Sequence, residues 1–223
     1  VLVATPGRLL DHVSQRSVRL DKVEILVLDE GDHMLDMGFI HDLRKIATIL
    51  PRQRQTLFFS ATMPPAIEEL AAQFLDQPEK IAVTPVSSTA ERVQQAVVHV
   101  DQSKKQDLLH AMLADKGIKR ALVFARTKHG ADRVVKKLES AGFNADAIHG
   151  NKSQGQRIRA LDGFKKGATR ILVATEVAAR GIDVDDITHV INFDLPNVPE
   201  QYVHRIGRTA RAGTDGIAIS FCA

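Results

Sequence analysis

Three carboxylates fall within four residues at Asp29, Glu30 and Asp32, with Gly31 between them. They follow an unbroken aliphatic run, Ile25-Leu26-Val27-Leu28, β-branched at two positions. Such a run predicts a strand buried on both faces, the habit of a central strand in a parallel sheet covered by helices. Ligands of open α/β sheets bind beyond the carboxyl ends of the strands. An aspartate there can hold a hydrated magnesium ion, which takes one or two carboxylates plus substrate phosphates. The neighbouring glutamate can orient or deprotonate an attacking water. Without partners elsewhere in the chain, the same residues are only an acidic first turn of a helix.

A second cluster lies near the other end of the chain. His204-Arg205-Ile206-Gly207-Arg208-Thr209-Ala210-Arg211 repeats arginine at every third position. On a helix or its frayed end this spacing puts neighbouring guanidiniums on overlapping faces. Arginine offers a planar fork to phosphate oxygens and stabilises charge that develops during phosphoryl transfer. A solvated basic helix is the plain alternative, but Tyr202, His204 and Gly207 woven among the arginines point to a constrained site.

Other elements are weak singly. Thr5-Pro6-Gly7-Arg8 presents backbone N–H groups and an arginine at a helix start, a ready phosphate site, or simply a helix opened by proline. Ser60-Ala61-Thr62 places two hydroxyls at a strand end, where they can bond neighbouring carboxylates or merely enter a helix. Thr175 and Ala178-Ala179-Arg180-Gly181-Ile182-Asp183 follow another strand, with a glycine for a tight turn and Asp183 on the same edge. Gln154 and Arg157, three apart, can contact one phosphate backbone or the solvent, and His149-Gly150 before them reads as an ordinary strand exit.

The elements that must position these residues alternate. In the first half, strands are predicted at 1–5, 24–30, 56–60 and 80–83, and helices at 6–15, 39–50 and from Pro64-Pro65 onward. Residues 84–91 are small, polar and proline-containing, and mark a linker (84–93 at its widest) between a domain of residues 1–83 and one of residues 94–223. In the second half, strands at 95–100, 120–125, 145–148, 170–174, 188–193 and 216–221 enclose helices at 104–115, 128–140, 153–166 and 198–209. That alternation indicates βαβ units and a parallel sheet. An internal echo joins the halves: Val-Leu-Val-Ala-Thr (1–5) recurs as Ile-Leu-Val-Ala-Thr (171–175), and in each half a strand ending in aspartate and then a further strand follow. Two related α/β domains are the expectation.

Composition limits the partners. The chain has 223 residues and a net charge of +3, divided as −3 over residues 1–83 and +6 over residues 84–223. A basic second half suits a phosphate-rich partner or a merely soluble surface. There is no Trp, one Tyr and nine Phe, so stacking platforms for bases are scarce and a nucleic acid would be held by its backbone. A single cysteine excludes an internal disulfide and a cysteine-rich zinc site and suits a reducing cytoplasm. No apolar run reaches the length of a membrane span.

Taken together and in order, Thr-Pro-Gly-Arg (5–8), Asp-Glu-Gly-Asp (29–32), Ser-Ala-Thr (60–62), Val-Phe-Ala-Arg-Thr-Lys (123–128), Gln-Gly-Gln-Arg (154–157), Ala-Thr-Glu-Val-Ala-Ala-Arg-Gly-Ile-Asp (174–183) and the arginine segment 204–211 resemble the DEAD-box RNA helicases of superfamily 2. Segments 148–154 and 192–200 look most similar to the bacterial RhlE-type subgroup. The resemblance implies two RecA-like parallel-sheet domains of the P-loop NTPase type, the first incomplete, that close on ATP and one RNA strand. It implies that Asp29 holds Mg²⁺ through water and that Glu30 acts on the attacking water. It links Asp32 to Ser60, Thr62 and His204, makes Arg208 and Arg211 arginine fingers, and puts Gly181 and Asp183 at the nucleotide. It assigns RNA contacts to Thr5, Pro6, Gly7, Arg8, Arg126, Gly150, Gln154, Arg157 and Thr175. The protein partners it suggests are those of ribosome assembly or RNA decay, in the cytoplasm.

Departures from the family pattern are Gly31 for alanine, His33 for arginine and Glu176 for aspartate; Gly31 is expected to loosen the turn between the carboxylates. No G-x-x-x-x-G-K-[ST] loop occurs in the sequence. The chain therefore reads as a fragment whose parent hydrolyses ATP and which is inactive alone. Rival readings are a non-catalytic RNA clamp and a superfamily-2 DNA translocase.

Overall fold

A computed structural model describes residues 1–82, 92–179, 182, 184–210 and 214–223, apart from the side chains of Asp36 and Glu200. The chain forms two compact units, Val1–Val83 and Thr84–Ala223.

In the first unit, α1 (Pro6–Ser14) begins at a proline, whose missing N–H is one the first turn leaves unpaired anyway. β1 (Ile25–Leu28) pairs in parallel with β2 (Gln55–Phe58), with Leu28 opposite Phe58. Three helices complete the unit: α2 (Gly31–Asp36), α3 (Ile40–Ile49) and α4 (Pro65–Ala72). Leu43, Leu70 and Phe74 pack with Leu28 on one side, and Leu20, Ile46 and Leu50 gather Leu9, Leu10 and Val13 on another.

Three expectations for this unit are corrected. Residues 1–5 and 80–82 form no strand, and Val83 lies outside the described residues. A strand exists only through its ladder, and among the described residues β1 and β2 pair only with each other. β1 is not buried on both faces either: Leu26 and Leu28 on one face pack with Leu43, Leu70 and Phe74, while Ile25 and Val27 on the other are 60% and 54% exposed. The aliphatic run is enough to make a strand, and packing against each face decides its burial.

The second unit is a six-stranded sheet, entirely parallel, in the order β3 (Val93–His99), β8 (Gly216–Cys222), β7 (His189–Asn192), β4 (Ala121–Phe124), β6 (Ile171–Ala174), β5 (Ala145–Ile148). Its connecting helices are α5 (Lys105–Leu113, after a 3-10 turn at 102–104), α6 (Lys128–Ser140), α7 (Gln154–Lys165), α8 (Glu176–Ala179) and α9 (Pro199–Ile206). β3 already begins at Val93, a buried residue that the sequence reading had left in the linker. Every residue of β4 and β6 is buried. Because side chains alternate along a strand, Leu122 and Phe124 enter one core with Phe164 and Ile206, whereas Ala121 and Val123 enter the other with Leu109 and Leu138. α7 starts on a full capping box: the Ser153 hydroxyl accepts the Gln156 N–H while the Gln156 side chain accepts the Ser153 N–H. The echo between the halves survives in part, since β1–β2 and β7–β8 are equivalent parallel pairs, but residues 1–5 do not form the strand that Ile171–Ala174 does.

Candidate functional site

In the first unit, the turn after β1 carries the three carboxylates. Asp29 and Glu30 are exposed, and the Glu30 N–H donates to Asp29 Oδ1 at 2.9 Å. Glu30 caps α2 with φ 54° and ψ 51°, the left-handed region that a residue with a Cβ seldom occupies. Such strain gathers where a side chain must be aimed rather than where packing alone is served. The Gly31 N–H donates to the Phe59 carbonyl at 3.0 Å, and the Phe59 N–H to the Leu28 carbonyl at 2.8 Å, so the turn is sewn to the end of β2.

Asp32 is tied to the same strand end. Its N–H donates to Ser60 Oγ at 3.0 Å, the Ser60 hydroxyl donates to the Thr62 carbonyl at 2.7 Å, and the Thr62 hydroxyl donates to Asp32 Oδ2 at 3.2 Å. The structure therefore joins Asp32, Ser60 and Thr62 in one closed circuit across 30 residues of sequence. Gly31 departs from its expectation. A Cβ there would strike the Phe58 ring, lying 2.6 Å from Cε1 and nearer still to Cζ. Phe58 fills the volume of a methyl group, so the turn is packed rather than loosened.

A cation in this turn is tested by its donor set. No group of three or more His, Cys, Asp or Glu is placed to hold a metal among the described residues. One or two exposed carboxylates at a strand end fit magnesium that arrives with phosphates and keeps its waters, and do not fit a metal caged by protein alone. Asp29 is the residue that would hold it.

Thr5, Pro6, Gly7 and Arg8 form the start of α1. Thr5 caps the helix by its carbonyl alone, and Arg8 is spent on an exposed pair with Asp11 at 2.8 Å, worth little in water.

In the second unit, the parallel sheet puts all strand exits on one edge. Arg126 follows β4, Thr175 follows β6, and Gly150 follows β5; these three strands are neighbours, so the residues recur at successive steps of about 4.8 Å. Gln154 and Arg157 open α7 beside Gly150. Arg157 Nη1 donates to Gln154 Oε1 at 3.5 Å, while its Nε is buried with no hydrogen-bond partner among the described residues. A buried unsatisfied donor is uncommon in a folded protein and marks a place to look for a ligand. Asp194, after β7, accepts the Arg126 N–H at 3.0 Å and faces the buried Lys105 at 3.5 Å. A cavity of about 640 Å³ opens beside Arg126, with Lys105, Arg133, Lys137 and Phe193 in its walls.

α9 ends at Ile206, short of the expected 209, so of the arginine repeat Arg205 lies on the helix and Arg208 follows it, and the two turn to different partners. Arg205 is 4% exposed and turns into the sheet: its Nε donates to Glu176 Oε2 at 2.6 Å, and its Nη1 to the Asp194 carbonyl at 2.7 Å and to Asn192 Oδ1 at 3.2 Å. Its guanidinium lies 4.7 Å from the Phe124 ring centre. Arg208 is half-buried and donates to the carbonyls of His204 and Ile182, each at 3.3 Å. His204 is half-buried on α9. Gly181, Asp183 and Arg211 lie outside the described residues.

The sequence reading missed a second cluster. His149, a plain strand exit by its sequence, is 1% exposed and bonded to Asp132 of α6. Burial raises the Asp132 carboxyl, but hydrogen bonds from His149 and Lys152 outweigh it and hold the group below its ordinary value of 3.8. The only sequence signal was a histidine directly after an apolar strand.

Comparison with solved helicase structures puts these parallel α/β sheets in the RecA-like class. Residues 1–70 match the family described as DEAD/DEAH box helicase, and residues 103–213 that described as helicase conserved C-terminal domain. The chain belongs to the DEAD-box helicase family. It is 48% identical over 221 residues to the DEAD-box ATP-dependent RNA helicase CshA of Geobacillus kaustophilus and 47% to that of Bacillus subtilis, covering 99% of this chain and 47% and 45% of those proteins. The chain thus spans about half the length of the curated relatives it matches. Among solved structures, yeast Dbp5 bound to RNA and ADP BeF3 superposes with a TM-score of 0.86 at 33% identity, over 99% of this chain and 58% of that one. A DEAD box protein from Methanococcus jannaschii gives 0.56 at 42%, over 98% and 59%. Among the described residues, no helix is long and apolar enough to cross a membrane.

Proposed function

We propose that this chain is the part of an ATP-dependent RNA helicase that carries the water-activating carboxylates and the RNA-gripping edge of the second RecA-like domain. The observation that carries the proposal is the closed circuit of Asp32, Ser60 and Thr62, which fixes the Asp29-Glu30 turn to the neighbouring strand. In this reading Asp29 holds Mg²⁺ of bound ATP through water and Glu30 acts on the attacking water. Arg208 and Arg211 stabilise charge on the transferred phosphoryl group, Gly181 and Asp183 lie at the nucleotide, and His204 joins Asp32 in linking nucleotide state to domain closure. Thr5 to Arg8, Arg126, Gly150, Gln154, Arg157 and Thr175 hold the RNA by phosphate and 2′-hydroxyl groups, in keeping with the scarcity of aromatic side chains.

The sites divide between the first unit and the second, whose sheet begins at Val93. Function in the cytoplasm, with ribosome-assembly or RNA-decay proteins as partners, follows from the same reading. The named relatives are CshA proteins, so a RhlE-type subgroup rests on segments 148–154 and 192–200 alone. With no G-x-x-x-x-G-K-[ST] loop in its sequence, the 223-residue chain is expected to hydrolyse ATP poorly by itself.

The test is RNA-stimulated ATP hydrolysis by the natural-length protein beside its Glu30→Gln variant. Stimulation that the variant loses supports the enzyme; tight RNA binding without hydrolysis leaves a clamp, and stimulation by DNA in place of RNA leaves a translocase.

A further inference from the structure

The loop between β5 and α7 carries Gly150 and leads into Gln154 and Arg157 on the first turn of α7, three of the residues read above as RNA contacts. Exposed loops hold a defined shape only when something pins them. Here the pin is a side chain that none of the RNA-contact assignments includes. His149 sits at the mouth of β5, 1% exposed. The Asn151 N–H donates to its Nδ1 at 3.3 Å. Nδ1 is therefore the acceptor, Nε2 carries the proton, and Nε2–H donates to Asp132 Oδ1 at 2.9 Å. One neutral imidazole thus bridges the loop backbone on one side and helix α6 on the other.

The charged groups around this ring all serve the same turn. Lys152 reaches Asp132 Oδ1 at 2.9 Å, closing the loop over the histidine. Lys128, at the start of α6, donates to Asn151 Oδ1 at 2.9 Å. The Lys152 N–H donates to the His149 carbonyl at 3.0 Å. The loop then runs directly into the Ser153 capping box, so its geometry sets where Gln154 and Arg157 point. Among the described residues, none beyond its two chain neighbours comes within 4 Å of the position a Cβ would take at Gly150, which leaves its backbone open to a ligand.

We propose that His149 is a positioning residue for RNA: bonded to both Asp132 and the Asn151 amide, it holds the 149–153 loop in the shape that presents Gly150, Gln154 and Arg157 to a phosphate backbone. The proposal rests on the RNA-binding reading given above. His149 touches no RNA itself; it acts through the loop. Ordering that is prepaid in the free protein is not charged against binding, so loosening the loop weakens affinity without removing a contact.

The experiment measures binding of a fluorescent single-stranded oligouridylate to the full chain by anisotropy, with melting curves for each variant. His149→Phe fills the same space and loses both bonds, and is expected to weaken binding about fivefold to tenfold, the worth of one or two hydrogen bonds. His149→Gln, which can still donate to Asp132, recovers part of that loss. Asp132→Asn keeps an acceptor for Nε2–H and stays within about twofold of the parent, which separates the hydrogen bond from the charge. In His149→Phe the Asn151 amide also exchanges with solvent faster, while the amides of β4 and β6 keep their protection. The proposal is overturned if folded His149→Phe binds as the parent does, or if His149→Gln is as weak as His149→Phe. A parent chain that binds no RNA at all overturns the RNA-binding reading itself, and the positioning role with it.

Discussion

Replacing Arg205 by methionine removes a buried cation and leaves much of its volume filled. The guanidinium is 4% exposed, and the change deletes its bonds to Glu176, Asn192 and the Asp194 carbonyl together with its contact on Phe124. Breaking a buried ion pair from one side costs about 3–5 kcal/mol, because the remaining charge stays desolvated. The Glu176 side chain keeps 19% of its exposure and can rehydrate in part, which places the expectation at the lower end, about 3 kcal/mol. The double change Arg205→Met with Glu176→Leu removes the carboxylate together with the guanidinium and should recover about 1–2 kcal/mol of that loss. The assay is urea denaturation read by a probe within the second unit, since the two units need not unfold together. A loss below about 1 kcal/mol for Arg205→Met, or a double variant no better than the single one, would refute the view that this arginine is a structural brace and return it to the phosphate-binding set.

Three further outcomes are expected. Gly31→Ala forces the Phe58 ring aside and should destabilise the first unit by about 1–3 kcal/mol, with Phe58→Leu restoring most of it; equal stability of the parent and Gly31→Ala under urea would contradict the packing described. Glu30→Gly relieves a left-handed residue and should leave stability unchanged or raise it by up to about 1 kcal/mol, even as RNA-stimulated hydrolysis by the natural-length protein disappears, so calorimetry and an ATPase assay are read side by side. His189 is held below its ordinary value of 6.5 chiefly by burial and secondarily by Arg170, against the pull of Asp115. Its stabilising share is thus complete above that value and is lost as the pH falls toward the depressed folded value; the melting temperature should drop on acidification from pH 7, and His189→Asn should flatten that drop.

Local pattern decided a good deal. The four-residue apolar runs at 121–124 and 171–174 became strands buried on both faces, and Pro6 and Pro65 open their helices. The chemistry-bearing residues were legible too, because motifs such as Asp29-Glu30-Gly31-Asp32 and Ser60-Ala61-Thr62 are contiguous in the chain. What the sequence could not decide were relations between segments. Ile25 to Leu28 reads like Ala121 to Phe124, yet among the described residues the first packs one face and leaves Ile25 and Val27 exposed, whereas the second enters a core on each face. Spacing placed Arg205 and Arg208 near one another on a helix, but only the sheet beneath α9 turned Arg205 inward, toward Glu176 29 residues away. His149 looked idle because both of its roles depend on bonds made in space, one of them to a helix 17 residues earlier. Periodicity is a property of the chain; burial, charge pairing and the pinning of a loop belong to neighbours that only the folded chain brings together.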